Sequence, residues 1–252
     1  STMSLVEVMT AIYYGDIMRR KILNVDPQKP GSEDNDYLVL SKGDSAALQY
    51  SILADMGFFD ESELDYMGQI GSFLKLRPNA KTPGVNATMP FDGQGLSVAC
   101  GMALSLRAER KNNRVFCVMD ESELSYGQVW EAAEVAAYHK LDKLIAVVDC
   151  PKVDVDTSAN PSIKPDKLQD RFEAFGWKVV QVTDGHDFDK LIDGFARAFS
   201  TVRRPVCVWC HTLGGKGVQF AERKANYLRV PLSEGEFGEV LSLLHDKNIA
   251  IN

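Results

Sequence analysis

Short apolar segments with the composition of buried strands alternate along this chain with segments of helical periodicity. The strand segments are Tyr37–Leu40, Arg114–Met119, Lys143–Asp149, 177–182 and 204–210. The segments Arg114–Met119 and Lys143–Asp149 are almost continuously apolar, which is typical of strands that are covered on both faces. Such alternation predicts an α/β fold, with a doubly wound, mostly parallel sheet and helices on both faces.

Segments with helical periodicity lie between these strands throughout the chain. The predicted helices, in chain order, are Ser4–Arg19, Ser45–Met56, Ser62–Gly68, Gly93–Arg110, Gln128–His139, 165–175, 187–201 and Ser233–Asp246. No internal repeat and no low-complexity stretch divides them. We therefore expect a single domain over residues 1–252.

The charge balance bears on the partners of the chain. Its formal net charge is -7 at pH 7, and an acidic surface argues against nucleic acid or an anionic membrane as a partner. No apolar run approaches the roughly 18 residues that a membrane span requires. We expect a chain that has neither nucleic-acid nor membrane partners.

The five cysteines lie in apolar segments, which favours reduced, buried thiols and a cytoplasmic protein. Cys207 and Cys210 form a C-x-x-C within a predicted strand. Because an odd separation along a strand points two side chains to opposite faces, we favour core packing for this pair. A metal or redox site is the alternative.

A parallel sheet places its ligands at the carboxyl ends of the strands. Two predicted strands end in Met119-Asp120-Glu121 and Asp149-Cys150-Pro151. These two ends are therefore the first place to look for a functional site. Asp120, Glu121 and Glu123 would form a new cation site or, as we favour, a solvated loop.

Several short motifs resemble the N-terminal half of transketolases, in the same order and spacing from about Ser4 to Phe220. These motifs are Ser41-Lys42-Gly43, Met67–Ser72, Lys81–Val85, Gly93–Ser97, Gly127–Ala133, Phe175–Trp177, Asp184–Asp187 and Gly215–Val218. The resemblance implies the thiamine diphosphate-binding fold, in the form of its diphosphate-binding domain. Because full transketolases continue with two further domains, it also implies the first subunit of a split transketolase.

The resemblance also implies a partner and an assembly. In the family, thiamine diphosphate lies between this domain and the pyrimidine-binding domain of a neighbouring subunit. The expected partner is a transketolase C-terminal-half subunit, in a homodimer or a heterotetramer. Tyr126 and Trp130, at the start of a helix that lies near the subunit contact in the family, are expected in the core of that interface.

The metal-binding motif of the family falls on altered residues. Its G-D-G segment corresponds to Asp120, Glu121 and Ser122, so both glycines are replaced. Asp120 or Glu121 is the expected metal ligand if a metal binds. The asparagine ligand corresponds to Pro151, which has neither a side-chain ligand nor a backbone N–H. Val153 corresponds to the residue that gives the metal a backbone carbonyl.

The other cofactor positions implied by the resemblance are also altered. Three family histidines correspond to Asp44, Arg77 and Leu228. The segment that lines the cofactor in the family corresponds to Met89–Gly95, in which Gly93 and Gln94 are the expected cofactor contacts. Gly93 and Gln94 open a helix, and a helix start binds anions through its free N–H groups.

Electrostatic repulsion then predicts that the isolated chain binds no cofactor. Asp44, Asp92, Asp120 and Glu121 are expected to converge where a diphosphate would lie. At 4 Å and an effective dielectric constant near 20, each like-charge pair costs roughly 4 kcal/mol. Arg77 would neutralise one of these carboxylates. Thiamine diphosphate with Mg²⁺ is the cofactor expected if the chain is active.

We carry three hypotheses for function. The first is a pseudoenzyme subunit that acts as a structural or regulatory partner of a C-terminal-half subunit. The second is an active split transketolase-like enzyme that transfers a two-carbon ketol unit with thiamine diphosphate. The third is a repurposed binding domain for a small, cationic molecule.

Overall fold

A five-stranded parallel sheet runs through the centre of the computed structural model, which describes residues 2–154, 166–228 and 232–248. Its strands are β3 (Tyr37–Leu40), β4 (Val115–Asp120), β5 (Leu144–Lys152), β6 (Lys178–Val182) and β7 (Val206–Leu213), and a small antiparallel hairpin, β1 (Asp16–Ile17) and β2 (Arg20–Lys21), precedes them. The helices are α1 (Val6–Tyr14), α2 (Ala46–Asp55), α3 (Gly95–Ala108), α4 (Gly127–Tyr138), α5 (Asp166–Ala174), α6 (Phe188–Phe199) and α7 (Glu234–Asn248). The predicted fold class is confirmed.

The strands lie in the order β3-β4-β5-β7-β6, and every pair is parallel. Asp120 at the end of β4 is in register with Asp149 in β5. Asp149 is in turn in register with Cys210 in β7. The carboxyl ends of the three neighbouring strands β3, β4 and β5 therefore meet at one edge, as the sequence predicts.

Two hydrophobic clusters cover the two faces of the sheet. Helices α1, α2 and α6 contribute to one cluster, in which Phe116 and Phe195 are fully buried. Helices α3, α4 and α5 contribute to the other, around Phe172, Trp177 and Trp209. Burial on both sides explains why β4 and β5 read as continuous apolar runs.

The first predicted helix is too long. Helix α1 ends at Tyr14, and the chain then forms the hairpin β1-β2 instead of continuing to Arg19. Met18 and Arg19 at its turn both have positive φ, the left-handed conformation that two-residue hairpin turns require. Because neither residue is glycine or asparagine, no local signal indicates this turn. The segment predicted as a helix from Ser62 is a 3-10 helix, Glu61–Tyr66.

All five cysteines are free and buried. Cys207 belongs to one hydrophobic cluster and Cys210 to the other, which confirms that the C-x-x-C points to both faces of the sheet. Within the described residues, no helix has the length and apolar character needed to cross a membrane.

Candidate functional site

A buried lysine joins the carboxyl ends of three strands. Lys42 follows β3 by two residues, and its Nζ lies 2.7 Å from Asp120 Oδ2 and 2.6 Å from Asp149 Oδ2. Lys42 is 4% exposed and Asp149 is fully buried. We call these three residues the lysine–carboxylate cluster. Charged side chains are buried to this extent almost only when they are paired.

The two carboxylates determine the charge state of this cluster. Burial acts to lower the pKa of Lys42, but attraction to Asp149 and Asp120 outweighs it and holds the pKa above its ordinary value. Burial acts to raise the pKa of Asp120, but Lys42 and the hydrogen bonds from Ser122 hold it below its ordinary value. The ammonium and the Asp120 carboxylate therefore stay charged at neutral pH.

Hydroxyl groups complete the surroundings of Asp149. Ser4 Oγ donates to Asp149 Oδ2 at 2.7 Å, and Thr212 Oγ1 donates to Asp149 Oδ1 at 2.5 Å. Both oxygens of this fully buried carboxylate are thus hydrogen-bonded, by residues from the start of the chain and from β7. A buried charge is tolerated when hydrogen bonds and an ion pair replace the water that it has lost.

A second buried carboxylate, Glu123, joins the turn after β4 to the start of α3. Its Oε1 accepts from the Asp120 N–H at 2.8 Å, and its Oε2 accepts from the Gly93 N–H at 2.7 Å and from the Ser41 hydroxyl. Burial raises the pKa of Glu123 above its ordinary value, although these three hydrogen bonds act to lower it. The expectation of a solvated loop is therefore wrong for Glu123, which is 1% exposed.

The predicted glycine contacts are engaged inside the protein. Gly93 has a φ of +79°, and a Cβ there would lie 2.8 Å from the Cβ of Tyr126. The Gly93 N–H donates to Glu123, while Gln94 is the N-cap residue of α3. The Gly95 N–H donates to Ser41 Oγ at 3.2 Å. The helix start that was expected to contact an anion is therefore held by Glu123 and Ser41.

An arginine pairs two further carboxylates of the prediction, Asp44 and Asp92. Arg77 donates from Nη1 to Asp92 Oδ1 at 2.8 Å and from Nη2 to Asp44 Oδ1 at 3.2 Å. The side-chain hydrogen bond to Asp92 raises the pKa of Arg77 above its ordinary value. Asp44 and Asp92 do converge as predicted, and Arg77 neutralises both of them where one was expected.

The other predicted positions are dispersed around this edge. Glu121 and Ser122 begin the 3-10 helix Glu121–Ser125 after β4, and the Ser122 N–H donates to Asp120 Oδ1 at 3.0 Å. Pro151 lies within β5, in register with Thr212, and Val153 directly follows that strand. Leu228 ends the 3-10 helix Ala225–Leu228, and its side chain lies outside the described part of the chain. Their cofactor roles stay predictions.

Among the described residues, the side chains at this edge do not form a complete metal site by themselves. Among residues 2–154, 166–228 and 232–248, no group of three or more His, Cys, Asp or Glu side chains could hold a metal ion. The Asp120 carboxylate faces the ammonium of Lys42, and Pro151 offers no side-chain ligand. Asp120 and Glu121 as metal ligands are therefore a prediction without support from the geometry.

Two relatives of similar length carry the names of transketolase subunits. The 6-deoxy-6-sulfo-D-fructose transketolase subunit SqwG of Clostridium sp. (strain MSTE9) is 33% identical over 234 residues, covering 92% of this chain and 82% of the relative. One of the subunits of an apulose-4-phosphate transketolase from Phocaeicola vulgatus is 31% identical over 233 residues, covering 92% of this chain and 80% of the relative. These alignments place the similarity along nearly the whole chain.

A solved structure gives the same fold in a longer chain. Transketolase from Campylobacter jejuni superposes with a TM-score of 0.76 at 27% sequence identity. The match covers 87% of this chain and 36% of the transketolase. The chain therefore corresponds to about a third of that transketolase.

The cofactor expectation is corrected by the family to which these proteins belong. The family model that matches residues 2–243 is described as transketolase, thiamine diphosphate binding domain. The expectation of no cofactor is therefore wrong. It counted only one carboxylate as neutralised by Arg77, whereas Arg77 pairs both Asp44 and Asp92, and Lys42 pairs Asp120. With a family model and relatives that match almost its full length, this chain belongs to the transketolase family, in its thiamine diphosphate-binding domain.

Proposed function

We propose that the chain is the diphosphate-binding subunit of a two-chain enzyme of the transketolase type, which transfers a two-carbon ketol unit with thiamine diphosphate. The observation that carries this proposal is the match of the thiamine diphosphate-binding domain to residues 2–243. Two relatives of comparable length are named as subunits, which supports a second chain that completes the enzyme. The carboxyl edge of the sheet, around the lysine–carboxylate cluster, is the proposed position of the diphosphate.

Charge at this edge supports binding of an anion better than the sequence alone indicates. Lys42 and Arg77 each sit between two carboxylates, so four of the acidic groups are paired with cations. The residual repulsion is smaller than that of free carboxylates at the same distances. Lys42 holds Asp120 and Asp149 in place, and the described side chains alone form no complete metal site.

The proposed partner surface lies beside the same edge. Large apolar side chains are exposed there around the Arg77–Asp92 ion pair, namely Tyr66, Ile70, Leu76, Phe91 and Tyr126. Ile70 is completely exposed and Leu76 is 73% exposed. Protein interfaces commonly have an apolar core surrounded by a polar rim, and exposed apolar side chains next to an ion pair match that composition. We propose that a transketolase C-terminal-half subunit covers them, in a hetero-oligomer.

Calorimetry of the assembled enzyme tests this function. Thiamine diphosphate is titrated, with Mg²⁺ present, into the chain in complex with its C-terminal-half partner. We expect saturable binding with a Kd in the micromolar range, about -8 kcal/mol. A complex that shows no heat of binding up to about 1 mM cofactor contradicts the proposal.

A matched pair of variants tests the proposed edge. Ser122 and Ser125 are both exposed and lie three residues apart in the same 3-10 helix. Ser122→Glu adds a charge at the position of a family glycine, and we expect it to weaken cofactor binding by about tenfold, or 1.4 kcal/mol. Ser125→Glu, with the same change of charge, is expected to have a smaller effect. Equal weakening by both variants argues against this edge.

A structural or regulatory subunit is the second candidate. Asp120 and Glu123, at the turn where the family motif lies, are both occupied by hydrogen bonds and ion pairs within the chain. A subunit of this kind would stabilise its partner without influencing turnover through these residues. An assay of ketol transfer by the complex separates the two candidates, since Ser122→Glu lowers turnover only if this edge takes part.

A further inference from the structure

A cavity of about 470 Å³ lies at the opposite, amino-terminal edge of the sheet. It is formed where α3 and α4 end and where the chain enters β5 and β7. Lys143 at this cavity and Asp149 of the lysine–carboxylate cluster are six residues apart along one strand, which corresponds to about 20 Å. The cavity is therefore separate from the carboxyl edge, and its volume is within the range of small-molecule sites.

Basic side chains dominate the lining of this cavity. They are Arg107, Arg110, Lys111, Lys140, Lys143 and Arg203. A single acidic residue, Asp142, stands beside them, and its Oδ2 accepts a hydrogen bond from the Arg203 backbone N–H. This concentration of positive charge occurs in a chain whose net charge is -7.

Most of these cations take part in no ion pair among the described residues. Lys111 is paired with Glu33 and Glu109, each at 2.9 Å. The remaining five basic side chains form no ion pair with the described part of the chain. Asp142 lies among them, and the Asp36 carboxylate attracts Lys143. The basic side chains still outnumber these carboxylates, and a bound anion lowers the repulsion between them.

The backbone places three of the cations in conformations that L-residues avoid. Arg110, Lys140 and Arg203 have φ values of 58°, 51° and 64°. A left-handed residue other than glycine costs about 1 kcal/mol, and glycine or asparagine is the usual choice after a helix. Arg110 and Lys140 follow helices, where a cation gains about 0.3–1 kcal/mol from the helix dipole. That gain does not account for Arg203, which lies four residues beyond the end of α6.

Apolar side chains form the floor beneath these charges. Ala103, Leu106 and Leu141 line the cavity and are 4%, 7% and 3% exposed. A floor of this kind contacts the carbon skeleton of a ligand, while the surrounding cations contact its charged groups. Simple inorganic anions would contact only the cations and not the apolar floor.

We propose that this cavity binds a small organic molecule that carries two or more phosphate groups. The five cations that form no direct ion pair supply the charge complement, and arginine binds phosphate oxygens through pairs of N–H groups. The size of the cavity and its apolar floor favour a phosphorylated metabolite over an extended nucleic-acid backbone. The site is independent of the cofactor edge and of the function proposed there.

Titration of the full chain with fructose 1,6-bisphosphate as the probe tests this site. Calorimetry in about 0.15 M salt is expected to give a Kd at or below about 1 mM, with fructose as the uncharged control. The triple variant Arg110→Asn, Lys140→Asn, Arg203→Asn removes three charges but keeps residues that tolerate the left-handed backbone. We expect it to remain folded and to bind the probe about tenfold more weakly.

Arg19→Asn is the matched control for this variant. Arg19 also has a positive φ of 66°, is exposed, and lies in the β1-β2 turn away from the cavity. Its substitution is expected to leave the affinity for the probe unchanged. The proposal is overturned if the wild-type chain shows no binding, if the triple variant binds as well as the wild type, or if Arg19→Asn weakens binding equally. It is also overturned if only a short single-stranded RNA, and not the bisphosphate, binds in a manner that the triple variant abolishes.

Discussion

At the scale of single residues, the lysine–carboxylate cluster holds one buried ammonium between the carboxylates of Asp120 and Asp149. Lys42 was visible only as one letter of a motif, because its partners are 78 residues and 107 residues further along the chain. An available signal was the pair of aspartates that end two apolar strands, since a buried negative charge requires a cation. The altered family positions were readable from the sequence, whereas their pairing with Lys42 and Arg77 depends on the packing of three strand ends.

Replacement of Lys42 tests whether this cluster stabilises the fold. Lys42→Met leaves Asp149 buried without its cation, and breaking a buried pair in this way costs about 3–5 kcal/mol. We expect the free energy of unfolding, measured by urea titration, to fall by that amount. Adding Asp149→Asn to the same chain removes the stranded charge and is expected to restore part of the loss.

Lys21→Met is the matched control for Lys42→Met. Lys21 pairs with Asp16 at 3.4 Å, but both side chains are about half exposed. Exposed pairs contribute less than about 1 kcal/mol, so this variant is expected to unfold almost as the wild type does. A similar loss in both variants would show that the buried cluster has no special role in stability.

Asp120 is expected to give the cluster a dependence on pH. Its pKa is lowered in the folded chain, so the stabilisation that it provides is present at neutral pH and is lost as the pH falls through that lowered pKa. The difference in unfolding free energy between the wild type and Asp120→Asn should therefore be constant from about pH 7 to 5 and shrink below about pH 4. Urea titrations across this range measure it. A difference that does not change with pH contradicts the assignment. In the Lys42→Met background the dependence should not keep this sign, because burial raises the pKa of Asp120 and its main opposing group is then absent.

At the scale of elements, the apolar strands were predictable because burial on both faces leaves a continuous signal. The predicted strand Tyr37–Leu40 is observed with the same bounds, and Lys143–Asp149 is observed as Leu144–Lys152. The hairpin β1-β2 was missed because its turn residues, Met18 and Arg19, carry no turn signature. The 3-10 helix after β4 does carry a local signal, the capping box of Asp120 and Glu123 at its start, and that signal was missed.

Tyr126 and Trp130, at the start of α4, differ in burial and therefore in the role that each can have. Both Tyr126 and Trp130 were expected in an interface. Trp130 is instead packed inside the chain, since its Nε1 donates to the Leu124 carbonyl at 2.8 Å and its ring lies 5.1 Å from that of Phe172. Tyr126 is 49% exposed and is available to a partner. The interface role of Trp130 has no support from this packing.

Alanine substitutions separate these two roles. Trp130→Ala removes packing against Phe172 and Phe175, and we expect a loss of about 3 kcal/mol of unfolding free energy. Tyr126→Ala is expected to cost less than about 1 kcal/mol of stability but to weaken binding of the C-terminal-half partner by about tenfold. Urea titration and partner titration measure the two effects. If Tyr126→Ala leaves partner binding unchanged, the proposed partner surface is wrong in this region.

At the scale of the whole molecule, charge is distributed between the two edges of one sheet. The carboxyl edge holds an acidic group of residues whose main cations, Lys42 and Arg77, are paired within the chain. The amino-terminal edge holds six basic residues, of which only Lys111 forms an ion pair with the described part of the chain. Strands of four to nine residues separate the two edges, so that one rigid sheet can present two sites of different chemistry. If residues 1–252 form the single domain that is predicted, the two edges belong to one folding unit.

The reactivity of cysteine thiols during unfolding tests whether residues 1–252 form a single domain. Burial raises the pKa of all five cysteines above the ordinary range, and only a thiolate reacts readily with a disulfide reagent. Ala11→Cys adds a buried probe in α1, and Ser51→Cys adds an exposed control on α2. In increasing urea we expect the control to react at once, and the probe and the fully buried thiols of Cys117, Cys207 and Cys210 to become reactive together, with one free energy of opening. If the probe in α1 reacts at lower urea than the native cysteines, the chain contains at least two units that unfold separately, and the prediction of one domain is wrong.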